Sequence, residues 1–237
     1  MIGLIAELVI SWLLLWFIVK QNLSVLGFKP SRSRLTQLFT GIFLAAVCCI
    51  IYHVTSKISA NNNWKLNQQI SFLILLPGLW WVLKSVLFEE LIFRGALLYV
   101  AIEKLGVKKA CLLSAACFGI YHWFSYNAFG NPFQMVIIFV MTSVFGYMLA
   151  YAFAVTKSLY LPVGLHLGWN LFNILVFSNG PLGNQILIRA NENKPEGILS
   201  LIIFLFQIFG LPLLAFWYLK YLKSKDEADH ERVKEQT

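Results

Sequence analysis

The sequence predicts an all-α, polytopic membrane protein. Three observations carry that expectation. Apolar residues make up 59% of the 237 residues and charged residues 13%, whereas a soluble domain is roughly 45–50% apolar and about 25% charged. The mean hydropathy is +0.70. The apolar residues also fall into runs near the length that crosses a bilayer as a helix, about 17–25 residues.

Seven such runs are predicted spans: Met1–Val19, Leu35–Val54, Ile70–Tyr99, Ala110–Phe129, Phe133–Val155, Ser158–Phe177 and Ile198–Leu219. Hydrocarbon offers the backbone no partners, so each span has to satisfy its own N–H and C=O groups as a helix. The first run lacks a basic leading segment, carries Glu7 and has no small-residue cleavage site before Lys20, so it reads as a retained span. The third run is longer than a span needs and contains Pro77-Gly78. A kink or split is expected there, and a short extra helix sets the range at six to eight helices.

The connections alternate in character. "NLSVLGFKPSRSR" joins the first two spans, with Gly27 and Pro30 as breakers. "SKISANNNWKLNQQ" and "NGPLGNQILIRANENKPEG" are rich in Asn, Gly and Pro and read as loops at the opposite end. The tail, residues 220–237, mixes both charge signs without an apolar face and is expected to be solvated and partly disordered; His230 in it is given no role. The four cysteines lie in predicted spans without ligand spacing and read as packing residues. The whole chain, 1–237, is expected to form a single integral-membrane domain with its chemical core near residues 70–178.

The formal net charge of +8 has a membrane explanation. Lys20, Lys29, Arg32, Arg34, Lys104, Lys108, Lys109, Lys157, Lys220, Lys223 and Lys225 follow alternate spans, while the other loops hold only Lys57, Lys65, Arg189 and Lys194. This positive-inside bias predicts an external N-terminus and a cytoplasmic C-terminus. A nucleic-acid partner is not needed to explain the charge. The expected location is a bacterial inner membrane, with the lipid bilayer as the protein's main environment.

The stretch "FEELIFRGALL" places Glu89, Glu90 and Arg94 inside an apolar run. A charge near the centre of a span costs roughly 2.5–3.5 kcal/mol on insertion scales, so each needs a partner or a wet cavity. Glu90 and Arg94 stand at i and i+4 with the acid on the N-terminal side, the favourable order for a helical pair. Glu89 has no such partner. Two further spans carry polar residues one turn apart, Phe118 with His122 and His166 with Asn170. At 1.5 Å per residue, Glu89 lies about 15 Å from Tyr99, His122 about 18 Å from Ala110 and His166 about 12 Å from Ser158. The three are therefore expected at one level, in the cytoplasmic half.

Such a set can hydrolyse an amide. A carboxylate in a poorly solvated cavity takes a proton from water, an imidazole orients that water, and a histidine with an asparagine amide donates to an oxyanion. There is no G-x-S-x-G elbow and no cysteine in a reactive setting, which disfavours an acyl-enzyme. His122, His166 and Glu89 also make up a His2Glu ligand set of the kind that holds zinc, although no H-E-x-x-H helix is present. The residues alone leave metal-free and zinc-dependent hydrolysis open. Inverted repeats that would favour a transporter are not evident.

Taken in order, Glu89-Glu90-x-x-x-Arg94, Phe118-x-x-x-His122 and His166-x-x-x-Asn170 resemble the motifs of the CPBP family, the CAAX proteases and bacteriocin-processing enzymes also called Abi. The resemblance covers roughly Phe88 to Asn173. It implies an intramembrane endopeptidase with a conical cavity open to the cytosol and lipid, acting on membrane-associated peptides or lipidated proteins. By position it implies that Glu89 and His122 activate water and that His166 and Asn170 form the oxyanion hole. Glu90, Arg94 and Phe118 are in supporting positions. No cofactor is favoured, with zinc the alternative. A bacteriocin-immunity or scaffold protein without catalysis is the rival reading of the same motifs.

Overall fold

A computed structural model describes residues 2–191 and 193–235 and is helical almost throughout. The helices are α1 (Ile2–Leu14), α2 (Arg32–Ser59), α3 (Phe72–Arg94), α4 (Ala96–Leu105), α5 (Val107–Ser125), α6 (Pro132–Thr156), α7 (Tyr160–Asn170) and α8 (Gly197–Glu235). A π turn extends α1 over Leu15–Val19 and another extends α7 over Leu171–Val176.

Local chemistry sets several of the boundaries. Ser31 opens α2, its hydroxyl accepting from the Arg34 N–H at 3.3 Å. Asn131 caps α6 in the same way, accepting from the Gln134 N–H at 3.2 Å, with Pro132 at the first helical position. Gly106, at φ 78°, turns the chain between α4 and α5.

Five helical segments are long and apolar enough to cross a membrane: Ile2–Val19, Arg32–Ser59, Phe72–Leu105, Pro132–Thr156 and Gly197–Lys225. These helices make the chain an integral membrane protein. Their outer surfaces are apolar and open, with Leu73 80% and Phe133 76% exposed. In water such surfaces would associate; in hydrocarbon they are solvated. The two remaining predicted spans are present as α5 and as α7 with its π turn, but they are less apolar or shorter. Both bury a face in the bundle and carry its polar groups, so they need less lipid-compatible surface.

The third run departs from expectation. Helix α3 passes unbroken through Pro77, which lies in its second turn. The break falls at Gly95, and α4 is the extra short helix. At Gly95 the backbone turns so sharply that a Cβ would collide with the Leu91 carbonyl oxygen. Just before the break, the Phe93 carbonyl accepts from the Ser114 hydroxyl of α5 at 2.8 Å. The tail also differs: α8 continues as helix to Glu235, because no glycine or proline interrupts residues 220–235.

Two ends of the bundle are defined by contacts between loops. At one end the predicted loops meet in a short antiparallel pair, β1 (Trp64–Leu66) with β2 (Leu187–Arg189), Trp64 opposite Arg189. At the other, the Leu159 N–H donates to the Leu26 carbonyl at 3.2 Å and the Tyr160 hydroxyl to the Phe28 carbonyl at 3.1 Å. That second end carries Lys20, Lys29, Lys109 and Lys157.

Helix α7 sits deep because of its glycines. A Cβ on Gly164 would strike the Leu38 carbonyl oxygen, and one on Gly168 the Ile42 carbonyl oxygen. Gly164-x-x-x-Gly168 therefore lets the backbones of α7 and α2 touch, the small-residue packing that suits helices in lipid. His166 lies between those glycines in sequence and is itself buried.

Candidate active site

Three of the predicted residues converge from three helices. Glu89 of α3 turns its Oε2 toward His122 Nε2 of α5 at 4.0 Å and His166 Nε2 of α7 at 3.9 Å. Its other oxygen accepts from the Ser85 hydroxyl one turn earlier, at 3.3 Å. Among the described residues, nothing hydrogen-bonds to Glu89 Oε2. A gap of about 4 Å between polar atoms is the span one water bridges.

Glu90 faces the other way and is fully buried. Its Oε1 takes Arg94 Nη1 at 3.1 Å, the pair expected from the i, i+4 spacing. The same oxygen accepts from His166 Nδ1 at 2.7 Å, a contact that no spacing rule foretells. Arg94 also donates through Nη2 to the Gly146 carbonyl of α6 at 3.2 Å. Phe118 covers the guanidinium, with Arg94 Cζ 4.1 Å from its ring centre. Its edges meet the rings of both His122 and His166. Phe118, Glu90 and Arg94 thus form one buried bracket behind the two imidazoles.

The hydrogen bonds fix the tautomers. His122 Nδ1 lies 2.8 Å from the Phe118 carbonyl oxygen, which only accepts, so Nδ1 carries the proton. His166 Nδ1 likewise donates to Glu90, which already accepts from Arg94. In neutral imidazoles both Nε2 atoms are then acceptors aimed toward Glu89. For His166 Nε2 to donate to an oxyanion, the ring has to be imidazolium, with Glu90 as its counter-charge.

The donor types suit zinc, since Nε2 of two histidines and a carboxylate oxygen are its common ligands. The spacing does not. Ligand bonds of roughly 2.0–2.2 Å set adjacent ligand atoms about 3.3–3.5 Å apart in a tetrahedron, less than the 4.0 and 3.9 Å found. Among the described residues no group of three or more His, Cys, Asp or Glu stands close enough to hold a metal ion.

Glu89, His122, His166 and Asn170 line a cavity of about 820 Å³. Its walls are aromatic and amide-rich, with Trp81, Phe145 and Trp169 beside Asn173, Asn179 and Gln207. Asn170 makes no side-chain hydrogen bond to the described residues and is free to serve a ligand. The cavity reaches the surface at Ser125, Tyr126, Gly180 and Pro181, its only exposed lining residues among those described. All four lie at the β1–β2 end. With the charge-based orientation this is opposite to the cytosolic opening that the resemblance implies.

The three residues share a level as expected, but its position along the helices requires a correction. Helix α3 stops at Arg94, five residues after Glu89, and α5 stops at Ser125, three residues after His122. The three residues do meet, but His122 sits in the last turn of its helix, at the β1–β2 end. The helix axis does not run straight from Glu89 to Tyr99, because it breaks at Gly95.

A further polar group went unread in the sequence. His53 of α2 is buried, and its Nε2 lies 2.9 Å from Asn173 Oδ1. Asn173 in turn donates to the Asn179 carbonyl at 2.7 Å. The chain from α2 through α7 thereby fastens the loop at the cavity rim. A histidine inside an apolar run was the available signal.

Fold and site together define a helical membrane protein with a carboxylate–histidine cluster at the floor of an internal cavity. Residues 70–172 match the family described as type II CAAX prenyl endopeptidase Rce1-like, the relationship read from the motifs, and that segment contains every motif residue. At the level of the family, the match points to a membrane endopeptidase of the CAAX-protease type. No significant match was found among curated proteins or among solved structures.

Proposed function

We propose that the chain is an intramembrane endopeptidase that hydrolyses its substrate with a water activated by Glu89 and His122. The observation that carries this reading is the meeting of Glu89 Oε2 with the Nε2 atoms of His122 and His166 at the floor of the cavity. A water held there donates one hydrogen to Glu89 and the other to His122 Nε2. As its oxygen bonds to the scissile carbonyl carbon, Glu89 takes the proton and the carbonyl π pair moves onto oxygen. The Asn170 amide and His166, as imidazolium held by Glu90, stabilise that oxyanion. Collapse re-forms the carbonyl, breaks the C–N bond and returns the proton from Glu89 to the departing amine. The atoms balance without a covalent intermediate.

Peptidic substrates suit the walls. Asn173, Asn179 and Gln207 offer amides to an extended backbone, and the aromatic side chains offer apolar contact to its side chains or to an attached lipid.

The test uses wild type, Glu89→Gln and His122→Ala proteins purified in detergent, with a membrane peptide as substrate, with and without a strong chelator. The expected result is chelator-resistant cleavage in wild type and loss of about 10²–10⁴-fold in each variant. Chelator-sensitive cleavage restored by zinc would establish the metal-dependent alternative. A cellular phenotype that survives Glu89→Gln would establish a scaffold or immunity role.

A further inference from the structure

We infer that the site is loaded from the non-cytoplasmic side of the membrane. Its substrate is then polypeptide exposed at that surface, such as the outer juxtamembrane segment of an anchored chain, and not a lipidated C-terminus presented in the cytosol. This rests on the endopeptidase reading above and adds the direction of access.

Two independent observations meet here. The first is the shape of the cavity. Every lining residue lies at the level of the Glu89, Phe118 and Leu211 floor or between it and the β1–β2 end. From α5 come Tyr121, His122 and Ser125, in its last two turns, and the turn beyond it supplies Tyr126. The rim loop after α7 adds Asn179, Gly180 and Pro181. No lining residue belongs to the connections at residues 20–31, 95–106 or 157–159, which close the other end. Below the floor, the bundle is sealed by buried Arg94, Glu90, Phe118 and Met148.

The second is the distribution of charge. The sealed end carries Lys20, Lys29, Arg32, Arg34, Lys104, Lys108, Lys109 and Lys157, with Lys220, Lys223 and Lys225 on the same end of α8. Lys223 donates to the Tyr151 hydroxyl at 2.9 Å near the end of α6, which ties that stretch of α8 to the sealed end. The open end has Lys57, Lys65, Arg189 and Lys194. Short loops with excess lysine and arginine stay in the cytoplasm. The mouth therefore faces outward. It also lacks lysine and arginine in its lining, so nothing there favours the anionic terminus of a cytosolic chain.

Cysteine accessibility in intact cells tests the inference without requiring catalysis. Cys48, Cys49 and Cys111 are buried, so only Cys117 needs replacement. In the full-length Cys117→Ser background, Ser125→Cys marks the mouth and Lys29→Cys the sealed end. A membrane-impermeant maleimide is expected to label Ser125→Cys in intact spheroplasts and Lys29→Cys only after permeabilisation. The reverse pattern would overturn the inference. The label reports orientation even in an inactive protein, so failure here is distinct from failure of the Glu89→Gln activity test.

Discussion

His166 donates through Nδ1 to Glu90 at 2.7 Å while its Nε2 faces Glu89 at 3.9 Å. One imidazole thus lies between two consecutive carboxylates of α3, bonded to one and open to the other. The two acids have different surroundings. Glu90 holds the ring, and Glu89 faces the cavity.

Glu90→Gln should therefore damage both fold and turnover. The amide leaves Arg94 buried without its bonded carboxylate, and breaking a buried pair in this way costs about 3–5 kcal/mol. It also removes the counter-charge of an imidazolium at His166. Thermal unfolding in detergent should shift downward, and kcat should fall more than KM rises. Unchanged kcat in the folded fraction would count against the role of Glu90 in holding His166.

His122 offers an atom-by-atom test. Asparagine at 122 keeps an amide near Nδ1 that donates to the Phe118 carbonyl but has nothing at the Nε2 position. Glutamine reaches the Nε2 position and gives up that anchor. His122→Gln should retain more activity than His122→Asn, while His122→Asn stays closer to wild type in thermal stability. Equal loss in both would mean that the ring itself is needed.

Phe118 is packed against a cation and two imidazoles at once. Phe118→Leu preserves apolar volume and discards the ring face above Arg94, whose contribution is about 2 kcal/mol when desolvated. A lowered melting temperature is expected, with activity reduced. Calorimetry or a thiol-dye melt together with steady-state rates would check this.

Gly168→Val should be more damaging than its distance from the chemistry suggests. The new side chain meets the Ile42 carbonyl and the Ala45 methyl, so α7 has to move off α2 and take His166 with it. The expectation is loss of most activity and a destabilised protein, measured by cleavage rate and by thermal unfolding. Gly183→Ala has open space around it and provides the control, although its φ of 69° makes that turn less favourable.

At the rim, Asn173→Ala cuts the link from His53 to the Asn179 loop. Because that link shapes the mouth and not the reacting atoms, KM should rise several-fold with kcat within about two-fold. A fall in kcat alone would reassign Asn173 to the chemistry.

The parts of this architecture legible in sequence are those governed by local period. Run length marked the helices, and the i, i+4 rule paired Glu90 with Arg94. The same spacing put Phe118 beside His122 and His166 beside Asn170. What lay outside its reach depends on tertiary contact. The bond from His166 to Glu90 joins residues 76 apart in the chain. Pro77 looked the stronger breaker than Gly95, but near a helix start a proline displaces few hydrogen bonds, whereas Gly95 adopts a turn that side-chain crowding forbids. The polar tail looked unstructured because it lacks an apolar face, yet helix already established in α8 propagates through residues without breakers more readily than it nucleates. His53 was visible all along as an ionisable residue within a span, and only its distance from the motifs hid it.

Consecutive residues on an α-helix point about 100° apart. At Glu89 and Glu90 that angle becomes a partition between dry and wet protein. Arg94, fully enclosed, gives its hydrogen bonds to Glu90 and Gly146 and none to a group in the chamber. In the mechanism proposed above, the groups left to meet a developing oxyanion are then Asn170 and His166. Glu90 is the acid that joins the two sides: it is bonded to Arg94 and to His166, so a change there reaches the chamber only through the imidazole.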